Sequence, residues 1–263
     1  MTEPEAQEID PLLAKKLHRA LTAGHEEIFT LLTEPSAQIL RTLLKNPNLN
    51  EDHLLALLKR RDLPEDLLKA IAKYEQSNQS RQLKKELVKN PNTPGPVTLS
   101  LLPHLYLFEL LELCFMPGVT PDQKIAAERM IIQRLPDVEL GSKMTLSRRA
   151  TADVVGAILR EGDSRLTPAC LDNPRLKEVA ILQFLNSSRA RAATISIIAR
   201  HEKWKNRPNL RMAILKNRNT PDIWYTLFLP KLKTADMNNL LMSRRLKPQQ
   251  KKLVQQELKK RGL

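Results

Sequence analysis

The stretch Leu87-Val88-Lys89-Asn90-Pro91-Asn92-Thr93-Pro94 decides the fold of this chain of 263 residues. It joins an apolar pair to an Asn-Pro breaker and a second proline. Related stretches occur at 43–50, 170–175 and 214–221. Each stretch contains an Asn at the equivalent position: Asn46, Asn90, Asn173 and Asn217. Successive members of this set are 44, 83 and 44 residues apart, and 83 is close to two periods. A period in the low forties without strand signals predicts stacked helical units.

Each residue type in this phrase suits a corner between helices. Asn tolerates the left-handed conformation that ends a helix. The following Pro cannot continue the helix, because it lacks the N–H and clashes with the preceding turn. Thr93 and Thr220 each precede a proline, so we expect them to be N-caps with the proline at the first helical position. The stretch therefore predicts the end of one helix, a tight corner and the start of the next helix.

A shorter echo lies inside the long period, where Leu49-Asn50-Glu51-Asp52 is followed fourteen residues later by Leu63-Pro64-Glu65-Asp66. Helices of about ten residues fit such a spacing. Over most of residues 36–245 the periodicity and the Asn-Pro corners resemble HEAT and armadillo repeats and bacterial leucine-rich-repeat-variant proteins. The latter can carry a cysteine cluster for an iron–sulfur centre. That feature does not transfer, because only Cys114 and Cys170 are present.

The expected fold is all-α, a right-handed α-solenoid of about five repeats of roughly 42–44 residues with helical caps. Seven Gly and 4% aromatic residues argue against a nucleotide-binding sheet or a barrel. No apolar run is long enough to span a bilayer, so no membrane partner is expected. Residues 1–10 are acidic and unlike a signal peptide. The sequence predicts a cytoplasmic protein.

The charge divides the chain into three regions. Residues 1–35 are expected to be an acidic tail and an N-terminal capping hairpin, and residues 36–140 to be nearly neutral repeats. Residues 141–263 hold 26 Lys and Arg against 9 Asp and Glu, so the whole basic excess lies there, in repeats that end in a capping helix. Residues 136–146, with Gly141, are expected to be an irregular hinge at the charge boundary.

The basic half predicts a polyanion partner, because a charge excess of this size exceeds what solubility requires. The candidate binding residues recur at or near helix ends, where a solenoid aligns them into a stripe. They are Arg148, Arg149, Arg189, Arg191, Arg200, Lys203, Trp204, Lys205, Arg207, Arg211, Lys216, Arg218, Arg244, Arg245 and Lys247. Another interpretation is that these cations offset the negative C-terminal ends of helices.

Trp204 stands between Lys203 and Lys205, the combination that stacks a base and holds its phosphates. The alternative for a lone tryptophan is core packing. Trp224 and Tyr225 lie in an apolar segment and are expected in the core.

No catalytic constellation is found. The five histidines lack metal-ligand spacing with each other or with cysteine, and no glycine-rich phosphate loop or nucleophile elbow is present. We therefore expect no metal, no cofactor and no enzymatic activity. Cys114 lies in an apolar run and is expected to be buried and inert.

These observations favour a non-catalytic scaffold whose basic half binds nucleic acid, RNA or DNA. The alternative is a protein–protein adaptor for an acidic partner. A more remote alternative is a DNA glycosylase, since some of these enzymes are built from HEAT-like repeats, although no glycosylase motif is found here.

Overall fold

The structure, a computed structural model, describes residues 11–262 apart from the side chains of Gln76 and Asn78. These residues form α-helices and short 3₁₀ turns and contain no strand. The helices are α1 (Pro11–Thr22), α2 (His25–Leu31), α3 (Ala37–Leu43), α4 (Glu51–Leu58), α5 (Glu65–Lys73), α6 (Glu75–Gln79), α7 (Arg81–Lys89), α8 (Gly95–Leu101), α9 (Leu107–Leu113), α10 (Pro121–Arg134), α11 (Leu140–Arg149), α12 (Ala152–Glu161), α13 (Thr167–Asp172), α14 (Glu178–Leu185), α15 (Ala192–Arg200), α16 (Pro208–Lys216), α17 (Asp222–Phe228), α18 (Thr234–Met242) and α19 (Pro248–Lys260). The 3₁₀ turns are Leu102–His104, Leu135–Asp137 and Leu229–Lys231. The all-α prediction is confirmed for this part of the chain.

The chain forms two compact units, Met1–Ile131 and Ile132–Leu263, with the boundary inside α10. In the first unit α1 packs against α3 and α3 against α5, while α2 packs against α4 and α4 against α7. In the second unit α11, α13 and α15 form one row, and α12, α14, α16 and α18 form another. Within each unit, therefore, a helix stacks mainly on the second helix before it.

Helical spacing of apolar residues builds the core of each unit. In α5, Leu67, Leu68 and Ile71 are buried, whereas Glu65 and Lys69 are exposed. Positions three and four apart share one helical face, so this face is the one that packs. Burying each such side chain stabilises the fold by about 1.5–3 kcal/mol.

Gly162 ends α12 in the left-handed conformation, with φ of 78°. A Cβ atom placed there would lie 2.9 Å from the carbonyl oxygen of Arg189. Only glycine meets both requirements, the positive φ and the close approach of the corner after α14.

The repeated Asn side chains cap neighbouring helices. Asn90 donates its amide to the carbonyl oxygens of Leu58 and Arg60, at 3.1 and 2.7 Å, and its Oδ1 accepts the backbone N–H of Asn92. These carbonyls close the C-terminal end of α4, where helical partners run out. The same bonds are made by Asn46 to Ala20 and Ala23, by Asn173 to Ser147 and Ala150, and by Asn217 to Leu185.

The expectation of left-handed Asn corners is wrong. No non-glycine residue in 11–262 has a positive φ, and the φ angles of Asn90, Asn173 and Asn217 are −76°, −63° and −84°. The physical reason for Asn is its amide, which satisfies buried carbonyls that no aliphatic side chain could satisfy.

The neighbours reached by these amides lie 23–32 residues back in the chain. The 44-residue spacing of the Asn corners is therefore not the offset between a helix and the helix it stacks on. Asn173 follows α13 and Asn217 follows α16, which belong to different rows. The Asn phrase thus recurs in alternate rows of helices.

Thr93 and Thr220 are not N-caps as expected. The residues that flank α8 and α17 are Pro94 and Pro221, without a side-chain cap. Each threonine hydroxyl instead donates to the carbonyl six residues earlier, Leu87 for Thr93 and Ile214 for Thr220. The hydroxyl thereby ties the corner back to the helix that precedes it. Thr120 does cap α10, because its Oγ1 accepts the N–H of Gln123.

The expected irregular hinge at 136–146 is wrong for most of its length. Helix α11 begins at Leu140 and includes Gly141. One glycine costs a helix about 1 kcal/mol, and burial of Leu146 offsets that cost.

Replacing Asn90 by Ala is expected to lower the free energy of unfolding by about 2–3 kcal/mol, because a buried carbonyl and a partly buried carbonyl lose their donor. Asn92 is the matched control. It bonds to Arg61 and Leu63 but is exposed, so water replaces its amide and Asn92→Ala should cost under about 1 kcal/mol. Urea denaturation followed by circular dichroism measures both. Equal losses in the two variants would contradict the capping role.

Candidate polyanion-binding surface

Hydrogen bonds join the corners that follow α14, α16 and α18 into one edge of the second unit. Asn219 donates its amide to the carbonyl of Ala190 at 2.9 Å, and Gln250 donates to the carbonyl of Thr220 at 3.1 Å. Arg245 Nη1 donates to Oδ1 of Asn186 at 3.1 Å, which links the first corner to the third. We call these corners, residues 186–191, 217–221 and 243–247, the cleft edge.

The corners that follow α11, α13 and α15 form another edge. The Trp204 indole N–H donates to the carbonyl of Leu171 at 3.0 Å, and His201 Nε2 lies 3.0 Å from a carboxylate oxygen of Asp172. The nine residues of α15 separate this edge from the cleft edge by about 13 Å. We call these corners together with the end of α11, residues 148–151, 173–177 and 201–207, the far edge.

The cleft edge encloses a cleft of about 630 Å³. Five of the expected cations line it: Lys216, Arg218, Arg244, Arg245 and Lys247. Asn186, Ser187 and Ser188 add polar groups, and no acidic residue is among the lining residues. Cations from two corners that are about thirty residues apart in the sequence thus line the same cleft.

The cleft cations are not neutralised by the protein. Within residues 11–262 none of the five side chains forms an ion pair, and of these side chains only that of Arg245 makes a hydrogen bond, to Asn186. At the far edge, by contrast, Lys205 pairs with Glu202 and Arg207 lies 4.0 Å from Glu178. Unpaired cations in a concavity focus positive electrostatic potential.

The other expected cations are spread over both edges. Arg189 and Arg191 are exposed on the cleft edge, and Arg148, Arg149, Lys203 and Arg207 are exposed on the far edge. The Arg200 guanidinium carbon lies 5.7 Å from the Trp224 ring centre. Arg211 is half-buried, with Nε donating to the carbonyl of Lys205 at 2.8 Å and Nη2 to Asn206 at 2.7 Å. The structure therefore groups five of the expected residues and scatters the rest.

Trp204 is 4% exposed, and its indole N–H is already bonded to Leu171. This burial favours the core-packing alternative for Trp204 over stacking of its ring on a base. The corner after α15 turns the indole inward over the end of α13, while Lys203 remains at the surface. Trp224 and Tyr225 are buried, as expected.

The first unit contains a cleft at equivalent corners, those that follow α4, α7 and α9. Its volume is about 540 Å³. Asp62 and Glu65 line it, and no Lys or Arg does. The same architecture therefore presents opposite charge in the two units, and the basic lining is a property of the residues rather than of the corner geometry.

Sequence reasoning missed three groups at the cleft edge. Asn186, Ser187 and Ser188 lie in a corner that lacks the Asn-Pro motif, so a search for that motif does not find them. Their signal was the short polar interruption between the apolar helices α14 and α15, followed by Arg189 and Arg191.

The cysteines are buried and unsuited to nucleophilic chemistry. Burial raises the pKa of Cys114 to about 12 and that of Cys170 to about 11. Such thiols stay protonated near neutral pH and react slowly. Among residues 11–262 no three His, Cys, Asp or Glu side chains are grouped to hold a metal ion. Nor does any helix of that part combine the length and apolar character needed to cross a bilayer.

Comparison of the chain with known protein families, with curated proteins and with solved structures gives no match.

Proposed function

We propose that this chain is a HEAT-like helical-repeat scaffold, a right-handed α-solenoid without catalytic activity, that binds a polyanion through its basic C-terminal half. Nucleic acid is the proposed ligand. The single observation that carries the proposal is the cleft of five cations without an acidic lining residue or an internal ion pair.

Three of the five cations are arginines, whose planar guanidinium groups bind phosphate oxygens in pairs. Lysine adds point charges that contact phosphate without a fixed geometry. The cleft therefore offers the contacts that hold a nucleic-acid backbone.

Binding is expected to weaken steeply with salt, because each phosphate contact releases a condensed counterion. Fluorescence anisotropy with a labelled oligonucleotide, between about 50 and 200 mM salt, should give a linear fall of log K against log salt. A slope corresponding to about four to five contacts is expected from the cleft.

The competing interpretation is an acidic protein partner. A poly-glutamate of matched charge serves as the control ligand in the same titration. Tight binding of poly-glutamate with no binding of the oligonucleotide would favour that adaptor function. Affinity for the oligonucleotide that ignores salt would contradict phosphate recognition.

A further inference from the structure

A second concavity joins the cleft. It has a volume of about 360 Å³ and shares Ser187 and Ser188 with the cleft. We call it the hollow. The cleft and the hollow therefore adjoin at the corner after α14, and we call the two together the groove.

The chemistry of the hollow differs from that of the cleft. Ile132, Leu135, Pro136 and Ala157 supply an apolar floor. Arg160 and Arg189 stand at its rim, where Arg189 Nη1 donates to the carbonyl of Arg160 at 3.4 Å.

The one acidic residue of the hollow is Glu161. Lys143 Nζ lies 2.8 Å from its carboxylate and neutralises it. The hollow is thus apolar with a cationic rim, and no free negative charge repels an anionic ligand.

We infer that the groove takes single-stranded nucleic acid, with phosphates in the cleft and a nucleobase in the hollow. This inference rests on the proposed function. A strand carries phosphates and flat, largely apolar bases on one chain, and its unstacked bases can turn outward onto aliphatic or guanidinium surfaces. A duplex keeps its bases stacked inside and could use only the cleft.

The cleft has no aromatic lining residue, so it contacts phosphate and does not stack on bases. Base contact is left to the hollow, whose aliphatic floor and two guanidinium groups accept any base face. The expected binding is therefore selective for single strands and tolerant of sequence.

Three probes of about 15 nucleotides test this on the full chain: an oligothymidylate, an abasic strand with the same number of phosphates, and a duplex. The oligothymidylate is expected to bind about tenfold more tightly than the abasic strand, with nearly equal salt slopes. The duplex is expected to bind more weakly than the oligothymidylate at the same salt.

Ala157→Leu fills the hollow and should bring the affinity for the oligothymidylate down to that for the abasic strand. Ala193→Leu is the control, because Ala193 is exposed on α15 and does not line the groove. If Ala157→Leu fails to fold, Pro136→Glu places a carboxylate at the exposed side of the floor and should have the same effect.

The outcomes separate the two proposals. Equal affinity of the wild type for thymidylate and abasic strands, or tighter binding of the duplex, would overturn the base-binding hollow and leave the proposed function standing. No binding of any probe would remove both.

Discussion

Replacing Lys216, Arg218, Arg244 and Lys247 together by Ala is expected to weaken nucleic-acid binding by about 100-fold or more at roughly 100 mM salt. The slope of log K against log salt should become shallower by about three to four, because each lost phosphate contact removes close to one counterion. Anisotropy titrations of the wild type and the variant measure both quantities. The fold should persist, since these side chains form no ion pair within residues 11–262.

The far edge provides a control of equal charge. Arg148, Arg149, Lys203 and Arg207 are exposed there, and their joint replacement by Ala removes the same four charges. If the cleft is the site, this control should lower affinity only slightly, through the reduced net charge. Equal losses in the two variants would mean that binding follows total charge and has no site in the cleft.

The same pair of variants tests the structural alternative for the cleft cations. Lys216 ends α16, and Arg244 and Arg245 closely follow α18, so they can offset the negative ends of these helices. Such a role contributes about 0.3–1 kcal/mol each to stability. A cleft variant that binds normally but unfolds at lower denaturant concentration would favour helix capping over ligand binding.

The charge pattern of the sequence assigned the candidate cations to the C-terminal half, but it did not predict which of them lie close together. Lys216 and Arg245 are 29 residues apart, and they share a cleft because helices stack on the second helix before them. The 44-residue spacing of the Asn corners differs from this offset between stacked helices, so it does not predict which corners lie next to each other. Stacking distance is set by side-chain packing between helices, and a repeated corner phrase does not report it.

The hydrogen-bonding role of the Asn side chains at the corners could also not be predicted from local sequence rules. Asn-Pro correctly marked the helix ends, yet the amide of Asn90 reaches carbonyls of Leu58 and Arg60 that are 32 and 30 residues away. A turn rule considers only adjacent residues and therefore assigned Asn a backbone conformation that it does not adopt. Capping between neighbouring helices requires the tertiary structure.

Trp204→Ala is expected to lower the free energy of unfolding of the second unit by about 3–5 kcal/mol, as truncation of a large buried aromatic does. The loss includes the indole hydrogen bond to Leu171, which by itself contributes about 0.5–1.5 kcal/mol. The fluorescence of Trp224, which is buried in the same unit, follows unfolding in urea after Trp204 is removed.

Trp204→Phe separates the loss of packing from the loss of the indole hydrogen bond, because phenylalanine keeps most of the packing and lacks only the N–H donor. Its cost should be well below that of Trp204→Ala. Lys203→Ala, at the exposed neighbouring position, should change stability by less than about 0.5 kcal/mol.

Nucleic-acid affinity of folded Trp204→Ala should match the wild type, since the ring lies at the far edge. A stable variant with lost affinity for single strands would instead restore the stacking role that burial argues against, because a stacked base contributes about 1–3 kcal/mol to binding and little to folding.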